Sequence, residues 1–199
     1  MKRLFNFDKK FSDFDVIAGV DEAGRGPLAG PVVSAAVILK KNTYIKNLDD
    51  SKKLTPEVRH SVYEEILKKA QDFGVGIVDN LTIDSINILE ATKLSMKIAV
   101  EKLEIKPRLV LIDGHTPISI EFLQKTIVDG DALSASIAAA SVIAKVTRDT
   151  LMEKFDKKFP NYGFAKHKGY GTKFHMEAIK MFGPCPIHRK SFAPVRFYD

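Results

Sequence analysis

The chain holds a single cysteine, Cys185, so no intrachain disulfide can form. This excludes a disulfide-stapled scaffold and fits a reducing, cytoplasmic compartment. Set between Pro184 and Pro186, Cys185 reads as a small turn residue without a catalytic role. No run of about 18 apolar residues occurs, so no membrane span is expected. The most apolar long stretch, residues 132–146, is broken by Ser134, Ser136, Ser141 and Lys145. The first ten residues are basic but lack a continuous apolar core, so a signal peptide is not expected. The histidines (His60, His115, His167, His175 and His188) show no metal-ligand spacing, which disfavours zinc. His115 reads as a surface turn residue. No internal repeat, low-complexity tract or linker appears. Residues 1–199 therefore read as one domain, with residues from about 159 onward as an extension.

Acidic residues are scarce in the last third. Residues 132–199 carry 12 Lys and Arg against 5 Asp and Glu, a balance of +7. Residues 1–131 carry 19 against 20, a balance of −1. A basic region beside an acidic cluster suits a protein that grips a polyanion and cuts it with metal ions. A merely soluble basic surface would show the same charge.

Residues 15–20 and 31–39 read as strands, the second rich in Val and Ile. Thr55-Pro56-Glu57 is a good helix start: a hydroxyl cap, a proline at the first position and an acid at the positive end. That helix is expected to run to about residue 70, followed by a strand over 73–78. Residues 82–104 read as a long helix. Its apolar stripe is Ile86, Leu89, Thr92, Met96, Ala99 and Leu103. Residues 109–112 read as a buried strand, 118–125 as a turn plus short helix, and 126–128 as a strand. A second long helix is expected over 133–158, its first half rich in Ala and Ser. The remainder is loop-rich, with one helix near 173–181. Strands alternating with helices argue for a layered α/β domain.

The most informative stretch is Gly19-Val20-Asp21-Glu22-Ala23-Gly24-Arg25-Gly26-Pro27-Leu28-Ala29-Gly30-Pro31. Successive strand residues point to opposite faces, so Asp21 and Glu22 could converge if the strand ends or bends there, or if the backbone carbonyl between them also acts as a ligand. Gly24 and Gly26 allow close backbone approach. Asp113 follows the apolar run Leu109-Val110-Leu111-Ile112, and Asp131 follows Gly130 before the Ala/Ser-rich helix. Read alone, Asp113 is equally a turn residue and Asp131 a helix-start residue. Four carboxylates at element ends form an all-oxygen donor set of the kind hard divalent cations take. Asp129 reads as surface and Asp149 as structural.

The long string closely resembles the signature of the type 2 ribonucleases H (ribonuclease HII). Further matches are Asp50-Ser51-Lys52-Lys53-Leu54, Leu111-Ile112-Asp113-Gly114, Gly130-Asp131, the run from Ala139 to Asp149, Gly169-Tyr170-Gly171-Thr172 and His188-Arg189-Lys190-Ser191-Phe192. The resemblance implies a ribonuclease H-like core, a mixed sheet flanked by helices, and a mainly helical C-terminal extension. It implies an endonuclease that cleaves RNA in RNA–DNA hybrids and single ribonucleotides in duplex DNA. Asp21, Glu22, Asp113 and Asp131 map onto the family's metal-binding acids, which take Mg²⁺ or Mn²⁺, two ions in the catalytic complex. Gly24, Arg25 and Gly26 match the motif that reads the ribose 2′-hydroxyl, and Tyr170 the tyrosine at the RNA-to-DNA junction. Lys52 and Lys145 lie in matched motifs as phosphate contacts; Lys53 and Arg148 are further candidates.

A monomer is expected. The aromatics of residues 192–199 form no clear sliding-clamp motif and are assigned to core packing. Two alternatives stand beside this reading. One is the type 3 enzyme, which carries an extra N-terminal domain and lacks the arginine of the glycine motif; here about 14 residues precede the first strand and Arg25 is present. The other is a noncatalytic nucleic-acid-binding subunit on the same fold, against which the four acids argue.

Overall fold

The computed structural model describes residues 2–198; Met1 and Asp199, the ends of the two terminal segments read above, lie outside the described residues. Five strands build one mixed sheet: β1 (Ile17–Ala23), β2 (Val32–Leu39), β3 (Ala70–Val78), β4 (Leu109–Asp113) and β5 (Gln124–Ile127). Their order is β3-β2-β1-β4-β5. β1 pairs antiparallel with β2 and parallel with β4, so β1 is where the sheet changes direction. The expected α/β architecture, a mixed sheet between helices, is what the chain forms.

The alternation of β2 shows why both faces are covered. Ala35 and Val37 pack with α4 (Ala135–Lys158), while Ala36 and Ile38 join Met96, Ala99 and Val100 of α3 (Asn80–Glu101). Strand residues point alternately, so a strand that is apolar on both faces, as β2 is apart from Ser34, needs a helix on each side. The first ten residues of α4, Ala135 to Ala144, are all buried. Its small side chains let the helix lie close to β1, and Gly19 is the point of closest approach. A Cβ there would sit 2.1 Å from the Ser136 carbonyl carbon and 2.3 Å from the Ile137 nitrogen.

Helix α2 (Pro56–Lys69) starts as expected, with the Thr55 hydroxyl accepting from the Val58 N–H. Several boundaries differ from the sequence reading. β1 runs on through Asp21, Glu22 and Ala23 because β2 continues alongside, pairing Asp21 with Ala35 and Glu22 with Ser34. α3 is interrupted at Asn87 (φ 67°), whose side-chain oxygen accepts from Leu89 and Glu90 N–H. That cap restarts the helix and shifts its face. Leu89, expected in the apolar stripe, is therefore exposed, while Thr92, Met96 and Ala99 are buried. No helix forms within residues 118–123. There the Gln124 side chain bonds both the N–H and the C=O of Ile118, and β5 starts two residues earlier than expected.

Sequence periodicity gave no sign of α1 (Lys2–Asp8). Its last residue binds it to α4: the Asp8 carboxylate accepts from the Ser134 hydroxyl at 2.6 Å and the Ser136 N–H at 2.9 Å. The C-terminal region contains α5 (Phe164–His167) and α6 (Lys173–Phe182). It packs Tyr162, Phe164, Ile179, Ile187 and Val195 around Met152 of α4 and Leu28 and Ala29 of the glycine-rich loop. Phe192 packs there too, but Phe197 is 70% exposed, so core packing does not account for it.

The close approach at Gly19 yields a test. Gly19→Ala places a methyl group into α4 backbone that cannot move aside alone. It should cost about 1–3 kcal/mol or more, as overpacked cores do, lowering Tm by roughly 2–4 °C per kcal/mol. Thermal unfolding followed by circular dichroism reads it; an unchanged Tm would show that α4 is not held at this contact.

Candidate active site

β4 pairs with β1 only as far as Val20–Ile112 and ends at Asp113. Asp113, one position past the final pair, ends β4 next to Asp21 and Glu22 of β1. Oxygen atoms of Asp21, Glu22 and Asp113 lie within 4.8 Å of one another. β1 runs on through Ala23, so of the routes expected from sequence an end of the strand at the acids is not the one used.

Burial is the largest influence on all of these acids. It pushes Asp21 well above the usual carboxylate range, and the charges of Glu22 and Asp113 push the same way. The Glu22 N–H, 2.6 Å from Asp21 Oδ1, and the Ser141 hydroxyl relieve part of this. Glu22 is raised by burial and eased by Arg25, whose Nη1 stands 3.4 Å from Oε1. Asp113 is raised by burial although its Oδ1 accepts from the Gly130 N–H at 2.7 Å and the Asp131 N–H at 3.4 Å. These bonds bring Asp131 beside the cluster without placing its carboxylate in the tight group of three. Asp131 is also raised by burial, then by Asp50 and Asp113, and Lys52 Nζ faces it at 3.4 Å. Desolvated, mutually repelling oxygens with no nitrogen or sulfur donor among them fit a hard divalent cation.

Next to the acids lies a cleft of about 190 Å³ lined by Glu22, Gly24, Arg25, Gly26, Lys52, Lys145 and Tyr170. The structure thus brings the remaining sequence-predicted residues together. Their surroundings differ. The Arg25 and Lys52 side chains are mostly in solvent. Lys145 is tied to Asp149 at 2.8 Å, which gives Asp149 the structural role expected of it. Lys53 faces Asp49 instead of the cleft. A Cβ on Gly26 would meet only Tyr170 Cε1, at 3.7 Å, and the tyrosine ring is half exposed.

Arg148, a phosphate candidate in the sequence reading, also lines the cleft but turns its guanidinium to main chain. It is 1% exposed and donates to the carbonyls of Pro31, Ala29 and Lys168 at 2.9–3.1 Å. Arg189, fully buried, donates to Gly24, Arg25 and Gly30 carbonyls at 2.6–3.0 Å. Burial lowers the two guanidinium pKa values to about 10 and about 9, so both stay charged at neutral pH. Together they hold the loop from Gly24 to Pro31. Gly24 has φ 99° and its missing Cβ would fall 2.0 Å from Arg148 Nε, so both its conformation and its space require glycine. The Arg189 role was missed from sequence although the residue stands in a matched motif. A basic residue near the C-terminus gives no local signal of burial.

The acids' repulsion carries a sign that can be checked. Folded-state pKa values above the unfolded ones mean the folded chain binds more protons, so metal-free stability falls as pH rises through and beyond the unfolded carboxylate range, near 4. Asp21→Asn should flatten that dependence and raise the Tm of chelator-treated protein at pH 7, by roughly 2–4 °C per kcal/mol of repulsion removed. Melting curves from pH 4 to 8 in chelator test this; a lower Tm for the variant at pH 7 would contradict it.

Comparison with known proteins bears on this geometry. The family model described as Ribonuclease HII matches residues 18–195. The ribonuclease HII of Acetivibrio thermocellus is 58% identical over 179 residues, covering 90% of this chain and 70% of that protein. That of Endomicrobium trichonymphae is 54% identical over 195 residues, covering 96% and 93%. The crystal structure of the ribonuclease H2 from Pyrococcus horikoshii OT3 superposes with a TM-score of 0.77 at 29% identity, covering 92% of this chain and 96% of that one. More than half identical to such relatives along nine-tenths or more of its length, the chain belongs to the ribonuclease HII family.

Proposed function

We propose that the chain hydrolyses phosphodiester bonds at ribonucleotides, in RNA–DNA hybrids and singly within duplex DNA, at the Asp21–Glu22–Asp113 cluster. The upstream product ends in a 3′-hydroxyl and the downstream one in a 5′-phosphate. The observation that carries this is the meeting of three carboxylates, Asp21 buried and Glu22 and Asp113 half-buried, beside a cleft that presents Gly26 and Tyr170. Asp21, Glu22 and Asp113, with Asp131 alongside, would hold Mg²⁺ or Mn²⁺, two ions in the productive complex. When bound, such ions supply Lewis acidity, lowering the pKa of water and neutralising phosphoryl charge.

The chain's own residues orient the substrate. Arg25 and Lys52 stand in solvent at the cleft and contact the phosphates flanking the cut, while Lys145, bound to Asp149, adds positive potential to the wall. The glycine loop, held by Arg148 and Arg189, presents main chain to the ribose, whose 2′-hydroxyl distinguishes RNA from DNA. Tyr170 packs on the deoxyribose after the junction and disfavours a second ribose there. Because the nucleophile is water, the ribose 2′-hydroxyl serves for recognition alone. Residues 1–199 work as one catalytic domain, and the chain acts as a monomer.

Asp21→Asn and Asp113→Asn should each cut turnover by about a hundredfold or more, the equivalent of several kcal/mol of transition-state stabilisation. Hybrid binding should largely survive, because cations hold the phosphates. Cleavage with saturating Mg²⁺ and a filter-binding assay separate the two effects; near-normal turnover by both variants would remove these acids from the mechanism.

Tyr170→Ala should lose roughly tenfold to a hundredfold in kcat/KM on duplex DNA with one ribonucleotide, equivalent to about 1–3 kcal/mol of aromatic stacking. The loss on continuous RNA–DNA hybrid should be smaller. Side-by-side kcat/KM values decide, and equal proportional losses would deny the tyrosine a part in reading the junction.

A further inference from the structure

Three histidines gather behind Tyr170, all outside the acid cluster. His175 and His188 are buried, and their Nε2 atoms lie 3.0 Å apart. His167 stacks on His175 with ring centres 4.5 Å apart. Burial lowers both His175 and His188 to about 4, so each imidazole is neutral at pH 7 and carries one N–H.

The hydrogen-bond geometry favours one tautomer for each ring. His188 Nδ1 lies 2.8 Å from the Cys185 nitrogen and 3.2 Å from the Cys185 carbonyl oxygen; the shorter contact is with the N–H, which takes that nitrogen's lone pair. The proton of His188 is therefore on Nε2, and it is donated to Nε2 of His175. His175 in turn holds its proton on Nδ1 and donates it to the Tyr170 carbonyl at 2.9 Å. One directed chain thus runs from the Cys185 main chain through two rings to Tyr170. The alternative tautomer of either ring would set two protons face to face.

The start of the chain is anchored to the opposite wall of the cleft. Residues 187–189 run beside 28–30, with Gly30 N–H donating to Ile187 and Arg189 N–H to Leu28. Arg189 holds the Gly24 and Arg25 carbonyls, while its neighbour His188 reaches Tyr170 through His175. A single dipeptide therefore links both walls that would contact a ribonucleotide.

We propose that His175 and His188 are positioning residues that set Tyr170 against the glycine loop and so govern the preference for a single ribonucleotide over continuous RNA. This rests on the reading of Tyr170 as the junction residue. The rings touch neither the acids nor the cleft. Their effect should appear in substrate preference, with turnover on continuous hybrid preserved.

The test compares kcat/KM on both substrates for the wild type, Tyr170→Ala, His175→Phe, His175→Asn and the double variant Tyr170→Ala/His175→Phe. His175→Phe keeps volume but donates nothing. It should narrow the preference roughly tenfold, since a displacement of about 1 Å can cost up to a hundredfold. His175→Asn sets an amide near the Nδ1 position and should restore most of the preference. In the double variant, His175→Phe should narrow it no further, because both changes act through one contact. Full additivity, or an unchanged preference in His175→Phe where Tyr170→Ala narrows it, overturns the proposal and leaves the junction reading standing. If Tyr170→Ala itself leaves the preference unchanged, that reading falls and the proposal with it. Nitrogen-15 NMR of the wild-type protein at pH 7 is independent of any variant's folding. Nε2–H on His188 with Nδ1–H on His175 supports the chain; the opposite tautomer on either ring overturns it.

Discussion

Arg148 and Arg189 give up hydration to hold the main chain of residues 24–31, and the rest of the site depends on that exchange. A buried guanidinium is costly unless its donors are met, and here carbonyl oxygens from the glycine loop meet them. The bonds run both ways in effect: the loop satisfies the arginines, and the arginines fix a loop too rich in glycine to fix itself. Arg148 comes from α4 and Arg189 from the C-terminal region, so the loop is set by two distant parts of the chain. The left-handed Gly24 follows from this packing, since any side chain would collide with Arg148.

The acids are held by the opposite economy. Asp21, Glu22 and Asp113 are gathered where water is scarce and like charges meet, which raises every one of their pKa values. Hydrogen bonds from Ser141, Gly130 and the Glu22 main chain orient these carboxylates but do not cancel the repulsion. A site poised in this way is less stable empty than filled, and cation binding is the natural relief. The stiffness that keeps it assembled comes from the sheet below and from α4, which lies against β1 because Gly19 and the small residues of the helix allow it.

The two halves of the site meet at a seam between residues 28–30, 169–170 and 187–189. Main-chain bonds from Leu28 to Gly169 and from Gly30 to Ile187 stitch it, and the aromatic and apolar cluster around Phe164 fills the space beneath. The C-terminal region, basic and loop-rich in sequence, is in this sense a wall of the cleft.

The sequence by itself determined the alternation of strands and helices, the Thr55 cap, the apolar strand bearing Asp113 and the unbroken string from Gly19 to Pro31. These are local signals: periodicity, capping chemistry and motif spacing act within a few residues. Tertiary structure decided what depends on distant neighbours. β1 extends past Val20 because β2 runs beside it, and its carboxylates meet Asp113 where β4 ends. Asn87 interrupts a helix whose periodicity reads as continuous, and Leu89 turns outward as a result. Lys145 meets Asp149 four residues along its own helix, yet only the fold buries that pair beside the cleft. Arg148 and Arg189 look like surface cations in any sequence window. Apart from the Lys168 carbonyl, the oxygens that meet them lie more than a hundred residues away in the chain, and no local pattern carries that information.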